Sequence, residues 1–147
     1  MKKINTVTLC ASASFYKRLW EVKGELNHRG FKVKIPNTAL IMRKNNDFNV
    51  RKHKTWLTNA LDYQLKRKLM NEHFKKVISS DCILVINLKK HNLKGYIGGN
   101  VLMEMTLAHH FKKKIFILNR IDENLPIKEE VLGLFPVFLD GDIAKIS

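Results

Sequence analysis

The sequence predicts a flavodoxin-like, doubly wound α/β domain, a parallel sheet of about five strands in the common order 2-1-3-4-5. Two observations predict it. Short apolar runs alternate with stretches of helical periodicity along the chain. One of those runs, Cys82 to Leu88, is apolar almost without a break between Asp81 and Lys89, as in a central parallel strand covered on both faces.

Each element follows from its own pattern. Asn5 to Ala11 reads as a buried strand with Val7, Leu9 and Ala11 on one face, closing at the small residues Ala11-Ser12-Ala13-Ser14. Phe15, Leu19, Val22 and Leu26 fall at helical spacing, so a helix runs from about Ser14 to His28, and Gly30 stops it. Phe31 to Ile35 is a second strand, ended by Pro36. Residues 37–52 are polar, with an Asn45-Asn46-Asp47 cluster, and read as a mobile lid or disordered loop. A long helix is expected from about Lys54 to Ser79, carrying Trp56, Leu61, Leu65, Leu69 and Val77 on its apolar side. After the third strand, a loop ends in Gly98-Gly99-Asn100, with Asn100 as N-cap of a helix reaching about Lys112. Lys114 to Leu118 and the short Pro136 to Leu139 supply strands four and five.

Composition bounds the function classes. The 147 residues suit one domain spanning 1–147; 45% are hydrophobic and 27% charged, a globular balance. No apolar run reaches membrane-spanning length. The opening Met-Lys-Lys-Ile-Asn leads straight into an alternating strand, unlike a secretory leader. Cys10 and Cys82 sit inside apolar runs with no disulfide or zinc spacing, and the expected setting is a reducing cytoplasm. Adjacent His109 and His110 diverge by about 100° on a helix, so neither a metal nor a cofactor is expected.

Lys plus Arg number 27 against 13 acidic residues, a formal charge of +14. Between Arg43 and Lys76 alone there are ten basic and three acidic residues. Such a field attracts phosphate-bearing ligands, whether mononucleotides or nucleic acid; a general Lys- and Asn-rich bias accounts for it equally well. Trp56 and Tyr63 lie among the charges but also fit helical core spacing, so nucleic acid is the weaker expectation.

Open α/β sheets bind ligands beyond the carboxyl ends of their strands, where strand order reverses. In this order the crevice lies between strands 1 and 3, which brings Cys10–Tyr16 and Leu88–Glu104 together. Ser12 and Ser14 offer hydroxyls beside backbone amides at a helix start, and Gly98 and Gly99 allow close backbone approach. A helix N-terminus favours an anion, so phosphate is the natural ligand, although ordinary turn residues and a plain Asn100 cap give the same pattern. Glu104 is more specific. On a helical wheel it falls inside the arc of Val101, Met105, Ala108 and Phe111. A carboxylate there is costly unless it is paired with a Lys or used in chemistry.

Three segments carry a family likeness: Val7-Thr8-Leu9-Cys10-Ala11-Ser12; Ser80-Asp81-Cys82-Ile83-Leu84-Val85-Ile86-Asn87; and Gly98-Gly99-Asn100-Val101-Leu102-Met103-Glu104-Met105-Thr106-Leu107-Ala108 followed by Lys113-Lys114-Ile115-Phe116. On these the chain resembles the nucleoside 2-deoxyribosyltransferase superfamily, which includes deoxyribonucleoside 5′-monophosphate N-glycosidases. The resemblance implies a flavodoxin-like fold and cleavage of an N-glycosidic bond. It makes Glu104 the nucleophile that attacks the anomeric carbon to give a covalent glycosyl-enzyme, and Ser12 a holder of the 5′-phosphate. It also implies a homodimer, for which Trp56, Leu57 and Tyr63 offer apolar surface.

The chain departs from the family at four positions. Thr8 stands where a Tyr is usual, Ser14 near the place of a phosphate-binding Arg, and Thr106 in place of a Gly after the nucleophile. The second carboxylate aligns with His73, which can do acid–base work near neutral pH. Three expectations follow: an enzyme cleaving or exchanging the base of a (deoxy)nucleoside or its 5′-monophosphate, a non-catalytic nucleotide-binding module of the same fold, or a basic nucleic-acid-binding domain.

Overall fold

A computed structural model describes residues 2–147. Five parallel strands form one sheet in the order β2-β1-β3-β4-β5: β1 Thr6–Ala11, β2 Lys32–Lys34, β3 Cys82–Ile86, β4 Lys114–Ile117 and β5 Val137–Phe138. This is the flavodoxin-like arrangement. Strands β1 and β3 are neighbours, with Leu9 opposite Leu84 and Ala11 opposite Ile86, so the crevice where strand order reverses lies at their carboxyl ends.

Alternation along β1 divides the core. Val7, Leu9 and Ala11 join Leu19, Val22 and Leu26 of α1 (Tyr16–His28) on one face of the sheet. Cys10 points the other way, into a second core with Val77 of α4 (Tyr63–Ile78) and Val101, Met105 and Ala108 of α5 (Gly99–His110). Thr8 shares that second face, where its Oγ1 lies 2.6 Å from Ser80 Oγ. At the opposite end of β1, the Asp81 carboxylate accepts from the backbone amides of Asn5 and Thr6, each at 2.9 Å.

Four expectations are corrected. Residues 37–52 are no open loop: they form α2 (Asn37–Lys44) and the single turn α3 (Val50–His53). Ala39 and Met42 are fully buried, and Trp20 Nε1 donates to Ala39 O at 3.1 Å. The apolar stripe is hard to see because the helix has only two turns, and Leu40 and Ile41 point outward. The long helix does not start at Lys54. Two 3₁₀ turns, Thr55–Leu57 and Ala60–Asp62, precede α4, and the Asn59 side chain accepts from Leu61 N, a local bond that competes with helical pairing.

Asn100 is not the N-cap of α5. Gly98 holds that position in extended conformation without a side-chain cap, and the Asn100 amide is used elsewhere. Phe111 leaves the apolar arc because α5 ends at His110, so the ring is 45% exposed. The structure adds a short helix absent from the sequence reading, α6 (Lys128–Gly133), whose Val131 completes the second core. Among the described residues no helix is long and apolar enough to cross a membrane.

Candidate functional site

Glu104 sits on the first turns of α5 with its side chain turned toward the sheet, and the residue is 4% exposed. It reaches one end of a cavity of about 70 Å³ lined also by Tyr16, Asn37, Trp56, Lys66 and Asn100. That cavity shares Ala13, Tyr16, Lys54, Lys66 and Asn100 with a wider groove of about 230 Å³, whose wall adds Ser12, Lys90, Tyr96, Gly98 and Gly99. A narrow chamber lined in part by the Glu104 carboxyl thus adjoins a basic mouth at the N-terminus of α5. The mouth is built where the sheet topology demands it.

Basic groups line the mouth. Lys90 Nζ donates to Ser12 Oγ at 2.9 Å, and Lys66 Nζ donates to Asn100 Oδ1 at 2.9 Å. Burial lowers the pKa of both lysines, and the charge of Lys54 lowers each further, so Lys54 repels both across the groove. The first amides of α5 have no partner within the helix and add a partial positive charge. A β-carbon at Gly99 would meet nothing within 4 Å, so the space beside this residue is open. Asn37 is fixed from behind: its Nδ2 donates to the Glu72 carboxylate, and Lys76 Nζ donates to its Oδ1 at 2.6 Å.

Behind the chamber lies a buried polar cluster. His73, on α4 and 6% exposed, places Nε2 at 3.7 Å from both Glu104 Oε1 and Cys10 Sγ. Asn100 Nδ2 donates to Glu104 Oε1 at 3.3 Å, while Glu104 Oε2 and His73 Nδ1 are buried with no protein partner. Burial pushes the Glu104 carboxyl up to about 8 against the opposing pull of Cys10 and Lys66. Burial, aided by the charge of Lys76, pushes His73 down to about 4. Near neutral pH both are therefore uncharged, and the 3.7 Å approach is a contact between neutral groups. Cys10, His73 and Glu104 each offer a metal-ligating atom, and these three atoms lie within 4.8 Å of one another.

The structure brings together Glu104, Ser12, Gly98, Gly99 and Asn100 around one chamber and mouth. His73 touches Glu104 but stands behind it, outside the lining. Ser14 is not in this site. It borders a separate open groove with Lys17, Trp20, Arg43 and Phe48. Sequence reasoning missed Lys54, Lys66 and Lys90. One helical lysine and two in connecting segments are too common a pattern in so basic a chain to single out, and only the Gly98-Gly99 turn hints at what they face.

No protein-family model matches the chain, and no curated protein matches it. The resemblance to the nucleoside 2-deoxyribosyltransferase superfamily therefore stands on its motifs alone.

Proposed function

We propose that this protein cleaves the N-glycosidic bond of a (deoxy)nucleoside 5′-monophosphate, with Glu104 as nucleophile. The observation that carries this reading is the partnerless Oε2 of a buried carboxyl facing a chamber whose mouth holds three lysines at a helix N-terminus. The phosphate takes the mouth, accepting from Lys54, Lys66, Lys90, Ser12 and the first amides of α5. The sugar then lies toward Glu104.

In the chemical step, Glu104 Oε closes on C1′ as the bond from C1′ to the base nitrogen breaks. The bonding electron pair leaves with the base, which takes a proton from water in the mouth. Positive charge growing on the sugar favours the ionised carboxylate, and His73 Nε2 is the acceptor at hand for the carboxyl proton. The hydroxide left by that proton transfer, or a second base that gives up its own N–H proton to it, then attacks C1′ and releases Glu104 as carboxylate, which regains its proton from His73. Water gives hydrolysis, and a base gives transfer. The buried floor strengthens the attraction between carboxylate and oxocarbenium-like sugar. A cytoplasmic homodimer is part of the same reading, with Leu57, Leu61 and Tyr63 exposed on the segment entering α4 as the apolar surface. Trp56 is buried and does not contribute to that surface.

The test is base release from a panel of nucleosides and their 5′-monophosphates, followed by chromatography. Release from monophosphates faster than from nucleosides is the expected result. Tight binding of a monophosphate without release would replace this reading with that of a non-catalytic nucleotide-binding module, which the uncharged state of Glu104 near neutral pH favours.

A further inference from the structure

Three donors of different chemistry converge where β1, α4 and α5 meet: the Cys10 thiol, the His73 imidazole and the Glu104 carboxyl. All three residues are buried, and Glu104 Oε2 has no partner, which is rare for a polar atom inside a protein. We propose that Cys10, His73 and Glu104 form a binding site for a divalent ion of the zinc class, and that the ion inhibits whatever chemistry Glu104 performs.

The geometry is close to what such an ion requires. Tetrahedral zinc with Zn–S about 2.3 Å and Zn–N and Zn–O about 2.0–2.1 Å separates its donors by about 3.4–3.6 Å. His73 Nε2 stands 3.7 Å from Cys10 Sγ and 3.7 Å from Glu104 Oε1, and all three donor atoms lie within 4.8 Å of one another, so side-chain movements of about 1 Å or less close the site. The three protein donors leave a fourth position, which the chamber side of Glu104 can supply with water. Thiolate and imidazole select zinc, cobalt or copper over magnesium and calcium, which prefer oxygen. On binding, Cys10 and Glu104 each release one proton to solvent as the metal bonds form, and His73 binds through its neutral lone pair. Two anionic ligands then balance the dication in the buried setting, and no electron changes hands. An ion held this way occupies the carboxylate that would attack C1′. The inhibition clause rests on the function proposed above; the metal site itself does not.

The experiment titrates chelator-treated protein with Co²⁺ and reads its absorption, then displaces Co²⁺ with Zn²⁺. One Co²⁺ per chain is expected, with a thiolate-to-cobalt charge-transfer band and the visible bands of tetrahedral coordination. Zn²⁺ should abolish both, and Mg²⁺ should not. Cys10→Ser should remove the charge-transfer band and weaken Zn²⁺ binding on the order of 100-fold, and His73→Ala should weaken it similarly. Thermal melts of the metal-free variants confirm that they fold. Changing exposed His109 and His110 to Ala should leave the spectrum unchanged. A cobalt spectrum without a thiolate band, or one lost with His109 and His110 instead of Cys10, would overturn the site. The spectrum requires no turnover, so a protein that binds Co²⁺ but releases no base retains the site and loses only the glycosidase reading. Should base release occur and one equivalent of Zn²⁺ leave it unaffected, inhibition is refuted.

Discussion

His73 Nε2 lies 3.7 Å from Glu104 Oε1, yet the two groups are not an ion pair near neutral pH. Burial holds the imidazole at about 4 and the carboxyl at about 8, each toward its uncharged form. The pair is thus two uncharged groups in contact beneath a lysine-lined mouth, with the carboxyl proton held by Glu104.

Glu104→Gln should abolish base release and leave monophosphate affinity within a few-fold, because shape is kept and only the nucleophile is lost. Equilibrium binding and turnover on the same preparation check both halves. The substitution also has a stability signature. The Glu104 carboxyl is neutral in the folded protein but ionises in the unfolded chain above about 4.5, so its contribution to folding is complete below that value and is lost as pH rises through about 8. Denaturation midpoints at pH 6 and 9 should therefore converge in the variant relative to the native chain.

Turnover by the metal-free protein should rise with pH, with kcat/KM climbing toward a limb near 8 as Glu104 ionises. His73→Ala should lower the rate by about 10²–10⁴, the range for a proton-transfer group, and change the shape of that profile. A loss of rate with an unchanged profile would make His73 a packing residue.

Lys90→Ala should raise KM for a 5′-monophosphate about tenfold or more and leave the parent nucleoside nearly unaffected, since its ammonium lines the wider groove and not the Glu104 chamber. Added salt should narrow the preference for the monophosphate. Equal losses on both substrates would move the phosphate elsewhere.

Asp81→Asn should destabilise the fold by about 1–2 kcal/mol, because the carboxylate accepts from two backbone amides at the start of β1 and lies near solvent. Those amides, and then Lys2, hold the Asp81 carboxyl down to about 2 against an ordinary 3.8. Its contribution is present above about 4 and is lost as pH falls through about 2. The gap between variant and native chain in urea denaturation should close over that interval.

Leu61 is 78% exposed at the entrance to α4, beside exposed Leu57 and Tyr63. Leu61→Lys should shift a homodimer toward monomer, read as solution mass across a concentration series. A monomer mass for the native chain at every concentration would refute the dimer.

Given the common strand order of doubly wound sheets, which placed the crevice, the sequence alone determined the strand and helix pattern and the burial of Glu104. These depend on local periodicity: the alternation of β1, the unbroken apolar run of β3 and the apolar arc of α5 each reflect neighbours a few residues apart. Tertiary structure decided what local periodicity cannot encode. Residues 37–52 fold into helices because Ala39 and Met42 find α1 and its Trp20, contacts that short segments do not reveal in isolation. Asn100 gives up the cap position because Lys66, on another helix, and Glu104 engage its amide. The convergence of Lys54, Lys66 and Lys90, and of Cys10 with His73 63 residues away, follows from packing α4 and α5 against one face of the sheet. Spacing along the chain carries no trace of such long-range meetings, because only the folded backbone fixes the distance between their side chains.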